Sequence, residues 1–262
     1  MTTTSTDAKF TRTSLEMDGR VARIVMQNPG LNVIDILMME ELSQAIADID
    51  ARPGVSVIVF SGAAKAFSAG VDVAAHAPDK VAEMLAKFHS VIRSVIATNR
   101  ITIASVHDHC LGGGAELAMV CDLAFTADDA QWGFPEIKLG CYPPVACTAL
   151  AALVGQKRAA ELILTGRTIS GVEAAQLGLA NQSVPESQLT GTVERTIDEL
   201  SGLSPAALAF AKKANYAWDS MHFDKGLARS EKIDLDELMK TADAQEGIQA
   251  FMEKRQPKWM GK

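Results

Sequence analysis

An α/β protein with a helical C-terminal part is what this chain predicts, on three observations. Strand and helix signals alternate through the first half of the chain. Two of the strand candidates, 55–60 and 101–106, are apolar nearly throughout, as strands covered on both faces are. Past Pro144 that texture gives way to short segments of helical spacing.

Residues 1–9 are polar and threonine-rich and are expected to form a flexible tail. Residues 21–27 form a strand candidate, and the Asp18-Gly19 turn before it predicts a hairpin starting near residue 13. Asn28-Pro29-Gly30 ends that strand. Apolar residues at 38, 42, 45, 46 and 49 predict a helix over 36–49, broken by Pro53-Gly54. The strand 55–60 is closed by Ser61-Gly62, and 63–72 reads as a small-residue loop. An amphipathic helix over 81–97 and the strand 101–106 follow.

Gly112-Gly113-Gly114 then opens a helix, since residues 115–121 are helix formers without a breaker, and 123–126 is the next strand. Short helices are predicted over 146–154, 157–164 and 171–177, with a last short strand at 182–184. From about residue 190 the pattern is helical, interrupted at 202–205. A boundary near residue 200 divides a core of residues 10–200 from a helical region, 201–262.

The bulk properties narrow the function classes. At 262 residues, 48% hydrophobic and 22% charged, the chain is an ordinary globular protein. A net charge of −7 argues against nucleic acid or an anionic membrane as partner. The N-terminal segment has no apolar signal region, and the longest weakly polar stretch, 141–155, is too short to span a bilayer. A cytoplasmic location is expected. The four cysteines (Cys110, Cys121, Cys141, Cys147) show no paired spacing and read as buried free thiols in a reducing compartment.

The chemistry concentrates between residues 101 and 148. A glycine-lined helix start lets backbone approach a ligand closely and presents free N–H groups to an anion. Glu116 and Glu136 add two carboxylates able to share one water. Each has a structural explanation as a first-turn acid favoured by the helix dipole, and the triplet alone is explained by a tight turn. Their coincidence in an apolar neighbourhood points to acid–base chemistry.

Other readings are weaker. The dinucleotide pattern fails because Leu117 stands where its third glycine belongs, and no Gly-Lys-Ser/Thr follows Gly62 or Gly70. His107 and His109, taken to share a strand end and one face, lack a distant cluster to complete a metal site, so no metal is expected. Asp72 fits an N-cap before Val73-Ala74. No G-x-S-x-G elbow supports a serine hydrolase.

Several strings occur together in order: Ala66-Phe-Ser-Ala-Gly-Val-Asp72, Leu111-Gly-Gly-Gly-Ala-Glu-Leu117 with Cys121-Asp122, Pro135-Glu136 with Gly140 and Pro143, Leu164-Thr-Gly-Arg167, and the ending from Glu246 to Pro257. From about residue 14 onward the chain thereby resembles the enoyl-CoA hydratase/isomerase (crotonase) superfamily.

That resemblance implies a spiral of repeated ββα units, a helical C-terminal region that mediates trimerisation, and a homotrimer or dimer of trimers. It implies an acyl-CoA substrate, with coenzyme A part of the substrate and no separate cofactor. The N–H groups of Val71 and Gly113 would form an oxyanion hole. Glu116 and Glu136 match the two glutamates of hydratase members, whereas isomerase-like members keep one. Backbone around Ala66, Ala69 and Asp72 is placed at the adenine, and Lys254 or Arg255 at the phosphates, where solvated last-turn cations are the plainer alternative. Met84, Leu85, Phe88, Tyr142 and Pro144 are candidates for the acyl pocket.

Two departures stand out. The Pro-Gly-x-Gly-Gly-Thr turn common among hydratases is Pro143-Pro144-Val145-Ala146-Cys147-Thr148 here, and Pro144 has no N–H to offer a catalytic water. Asp108 replaces a frequent glycine. Asn32-Val-Ile-Asp35, Cys110-Leu-Gly-Gly-Gly114 and Tyr142-Pro-Pro-Val-Ala146 look most like the cyclohexa-1,5-diene-1-carbonyl-CoA hydratases of anaerobic aromatic degradation, which form 6-hydroxycyclohex-1-ene-1-carbonyl-CoA. The alternatives are a generic short-chain enoyl-CoA hydratase of fatty-acid β-oxidation and, from another class, a non-catalytic RNA- or acyl-CoA-binding member of the fold. The acidic balance and both glutamates argue against the last.

Overall fold

The structure, a computed structural model, describes residues 10–63, 65–216 and 220–261; the tail expected over 1–9 lies outside the described residues. The chain opens with the hairpin β1 (Thr13–Asp18) and β2 (Val21–Met26), followed by α1 (Ile36–Asp50). Three similar turns come next. The first holds β3 (Val57–Gly62), β4 (Ala66–Ser68), a 3-10 turn at Val73–His76, and α2 (Val81–Ala97). The second holds β5 (Ile101–Val106), β6 (His109–Leu111) and α3 (Gly113–Met119). The third holds β7 (Leu123–Ala127), β8 (Gln131–Gly133), a 3-10 turn at Pro135–Leu139, and α4 (Pro144–Val154).

Each turn adds one strand to each of two sheets. The larger runs β1-β2-β3-β5-β7-β10 and the smaller β4-β6-β8-β9. After α5 (Gln156–Thr165), β9 (Thr168–Ser170) closes the small sheet, and after α6 (Gly171–Leu177), β10 (Gln182–Val184) closes the large one. Except for the β1–β2 and β8–β9 pairs, which are antiparallel, the ladders are parallel. That explains the apolar runs of β3 and β5: parallel strands are covered on both faces. Helices α7 (Glu186–Ser201), α8 (Pro205–Tyr216), α9 (Ser220–Asp236) and α10 (Ala242–Met252) complete the chain.

Differences from the expectations are local. The small sheet is absent from the sequence reading, because strands of three residues leave no periodicity to detect. The loop expected over 63–72 accordingly contains β4. Strand β3 starts two residues later than expected, since Ser56 and Val57 both donate to the Arg20 carbonyl before the ladder begins. His107 and His109 do not share a strand end: Asp108 turns the chain between them at φ 49°, and only His109 enters β6. Aspartate adopts such a positive φ more readily than most residues with a Cβ. Cys147 is exposed rather than buried.

Helix α8 is tied to the core by one largely buried ion pair. Lys212 on α8 reaches Asp122 at 2.8 Å and the Arg100 carbonyl at 2.8 Å. The Thr102 N–H and hydroxyl also donate to Asp122, at 2.7 and 2.9 Å. Removing one partner leaves a buried charge with less compensation, which typically costs about 3 kcal/mol or more. Lys212→Ala is therefore expected to lower unfolding free energy by roughly that much in a urea titration. A loss within error of zero would show that the pair does not anchor α8.

Candidate active site

The second turn of the spiral places Gly112-Gly113-Gly114 at the start of α3, directly against Gly70 and Val71 from the first turn. A Cβ on Gly113 would stand 2.6 Å from Val71 Cγ2 and 3.0 Å from Phe88 Cζ, and one on Gly114 would stand 2.7 Å from Ser68 Cβ. Real Cβ atoms do not come so close, so glycine is what allows the two segments to meet. Val71 lies in a one-residue parallel bridge with Ile34, in which Ile34 donates to the Gly70 carbonyl and accepts from the Asp72 N–H. That pattern turns the Val71 N–H away from the bridge. The Gly113 N–H belongs to the first turn of a helix and has no intrahelical acceptor. Two N–H groups on adjoining segments can receive an oxyanion.

Glu116 sits one turn into α3 and is 3% exposed. Its Oε1 accepts from the Ala146 N–H at 2.9 Å, and the Val145 N–H adds to this. Both donors come from the first turn of α4, whose two leading prolines, Pro143 and Pro144, bring no N–H. Glu136 enters from the 3-10 turn after β8, its Oε1 2.6 Å from where a Cβ on Gly112 would stand. Its Oε2 is inaccessible and has no hydrogen-bond partner among the described residues.

Burial pushes both carboxyls up from the ordinary range, and the backbone donors from α4 hold Glu116 back. Glu136 is pushed well above that range by burial and then by the charge of Glu116. Glu116 is pushed up to about 7 and Glu136 further, so of the two Glu136 is the one that keeps a proton and Glu116 the better base.

A cavity of about 80 Å³ joins these groups. Ala69, Val71, Gly113, Glu116 and Glu136 line it together with Met84, Leu85, Phe88, Tyr142 and Pro144. The remaining sequence candidates lie elsewhere. Ala66 is fully buried in β4 with its carbonyl held by Asn32 at 2.7 Å, so it has no surface for a nucleotide. Asp72 spends its side chain on capping the Ala74 N–H at 3.1 Å. Lys254 follows α10 at φ 53°, exposed and outside the cavity lining, and Arg255 is paired with Glu246 and Glu253, both at 2.6 Å.

Three cavity residues escaped the sequence reading. His76 lies after the Asp72 cap, His89 on α2 and Asp234 on α9. His89 left a readable signal, since it interrupts the otherwise apolar buried face of α2 made by Leu85, Phe88 and Ile92. Asp234 left none, because it lies 98 residues beyond Glu136 and α9 is mostly polar.

The profile of the enoyl-CoA hydratase/isomerase family matches residues 16–262. The chain belongs to that family. A probable enoyl-CoA hydratase of Mycobacterium tuberculosis is 36% identical over 249 residues, covering 94% of this chain and 96% of that protein. The cyclohexa-1,5-dienecarbonyl-CoA hydratase of Thauera aromatica is 33% identical over 246 residues, covering 94% and 95%. The crystal structure of an enoyl-CoA hydratase/isomerase from Xanthobacter autotrophicus Py2 superposes with a TM-score of 0.86 at 28% identity, covering 94% of each chain. This family member is a hydratase-type lyase with the crotonase fold.

Glu136 offers a test of the site's electrostatics. A carboxyl whose folded pKa is raised costs nothing while protonated in both states, and costs stability as pH rises past its ordinary value of 4.5. Glu136→Gln removes that cost and keeps the shape. The variant's Tm advantage over the parent is expected to grow between about pH 4 and pH 8, by at least roughly 1 kcal/mol in stability. An advantage that shrinks with pH would refute the raised pKa.

Proposed function

We propose that this hydratase adds water to a compact enoyl-CoA ester, cyclohexa-1,5-diene-1-carbonyl-CoA, giving 6-hydroxycyclohex-1-ene-1-carbonyl-CoA. One observation carries the acid–base assignment: two buried carboxyls beside the paired N–H groups, one with two donors from α4 and one whose Oε2 has no hydrogen-bond partner among the described residues. Glu116, ionised, takes a proton from water as the oxygen bonds to the β-carbon. The negative charge runs onto the thioester oxygen, which the Val71 and Gly113 N–H groups hold, each donor contributing about 3–4 kcal/mol in comparable sites. Glu136, protonated, stands beside that water and supplies the proton to carbon where it is needed at Cα. Water and the thioester account for every atom in the reaction, so no cofactor beyond the coenzyme A of the substrate is called for.

The cyclic substrate is supported by the Pro143-Pro144 turn and the 33% identity to the Thauera aromatica enzyme. The 36% identity to the probable enoyl-CoA hydratase of Mycobacterium tuberculosis favours the second reading, a short linear trans-2-enoyl-CoA. For the assembly we take a homotrimer or dimer of trimers, supported by apolar residues that one chain leaves in water, Leu164 at 68% and Phe210 at 70% exposure. Light scattering that gives a monomer at micromolar concentration would exclude it.

Initial rates on cyclohexa-1,5-diene-1-carbonyl-CoA and crotonyl-CoA decide between the substrates, and a kcat/KM favouring crotonyl-CoA would overturn the cyclic assignment. Glu116→Gln and Glu136→Gln are each expected to lower kcat by about 10²–10⁴ with thioester binding largely kept. Unchanged turnover in either would remove that residue from the mechanism.

A further inference from the structure

Hydration by two glutamates leaves one buried acid in the same cavity without a task. Asp234 is 4% exposed, lines the cavity with Glu116 and Glu136, and makes no hydrogen bond or ion pair among the described residues. It comes from α9, which contributes neither an oxyanion donor nor a catalytic glutamate. That helix is tied to the cavity wall at two points. The Tyr142 hydroxyl donates to the Ser230 carbonyl at 2.6 Å, and Glu231 holds His89 Nδ1 at 2.6 Å while pairing with Arg93 at 3.0 Å. Ser230, Glu231 and Asp234 fall within about one helical turn, so the anchors that fix α9 also fix where Asp234 stands.

His89 gives the independent sign that a ligand belongs on this wall. Its side chain is fully buried, lines the cavity, and presents an Nε2 with no hydrogen-bond partner among the described residues. With Nδ1 committed to Glu231, the buried Nε2 is left as an acceptor without a donor among the described residues. A wholly apolar wall would suit a hydrocarbon chain better, because an unsatisfied buried polar group opposes folding. The α9 wall is therefore built for proton traffic or for a polar group.

We infer that Asp234 is a third catalytic carboxyl, the acid that protonates the ring carbon remote from the thioester when a cyclic dienoyl-CoA is hydrated. The inference rests on the cyclic-substrate reading above. Addition of water oxygen to the β-carbon pushes an electron pair through the ring into a dienolate, whose charge reaches the far end of the second double bond. A C–H bond forms there as the Asp234 O–H bond breaks, leaving Asp234 ionised. The proton that Glu116 took from water then returns to Asp234, so water is added in full and the carboxyls are reset. Glu136 keeps its place beside the water, and supplies carbon itself only when the proton is needed at Cα. Burial pushes the Asp234 carboxyl up to about 6, so its protonated form is more populated than in an exposed aspartate and grows as pH falls below neutral.

The test is the ratio of kcat/KM for cyclohexa-1,5-diene-1-carbonyl-CoA to that for crotonyl-CoA, in parent, Asp234→Asn and Glu136→Gln enzymes. Asparagine keeps the shape and removes the acid. The ratio is expected to fall by about 100-fold in Asp234→Asn, a typical general-acid contribution, through kcat rather than KM. In Glu136→Gln both rates should fall. Product formed by the parent enzyme in D2O should carry deuterium on the remote ring carbon. An unchanged ratio, or equal loss on both substrates, overturns the role of Asp234 while leaving the cyclic reading intact. A parent enzyme inactive on the cyclic ester overturns both.

Discussion

Close contact between two backbone segments is the constraint on which the site depends. Gly70-Val71 and Gly112-Gly113-Gly114 belong to successive turns of the spiral, and they touch only because no Cβ stands between them. The two sheets set this up. Each turn adds a strand to both, so the connections leaving β4 and β6 emerge side by side, and the N–H groups on them converge. Substituents at Gly112, Gly113 or Gly114 would push against Glu136, Val71 and Ser68 respectively, so one packing requirement serves both the fold and the chemistry.

Electrostatics of the pair follow from a second coincidence. Helix α4 begins with two prolines, so its first available N–H groups are those of Val145 and Ala146, and these reach Glu116. On Glu136, burial and a negative neighbour outweigh the one hydrogen bond from its own backbone. Two chemically identical side chains are thereby driven apart in proton affinity, as a base and an acid in one step require. The arrangement is expensive in stability, since a buried carboxyl so poorly compensated opposes folding whenever it ionises. Proteins commonly carry that kind of local cost where they do chemistry.

The helical C-terminal region has a structural link to the same site. The Lys212–Asp122 pair fixes α8 to the edge of β5 and β7, and α9 then lies over α2 and α4. Through Ser230, Glu231 and Asp234, this late part of the chain becomes a wall of the cavity. Size and polarity of the acyl site therefore depend on residues far in sequence from the motifs that mark the reaction.

By itself the sequence determined the alternation of strands and helices, because 3.6 and 2 residue periodicities survive in segments as long as α1, α2, β3 and β5. It also marked Glu116, Glu136, Val71 and Gly113 through ordered motifs, since close backbone approach restricts those positions to few residue types. The small sheet was invisible, its strands being too short to carry a period. The nucleotide contacts expected around Ala66, Ala69 and Asp72 and at Lys254 have no sequence signal of their own, because small-residue loops and terminal cations look alike whether they bind or not. Only the tertiary structure decided which polar side chains share the cavity. His89 and Asp234 are separated by 145 positions, and no local pattern records that α2 and α9 meet; packing of the last helices against the spiral does.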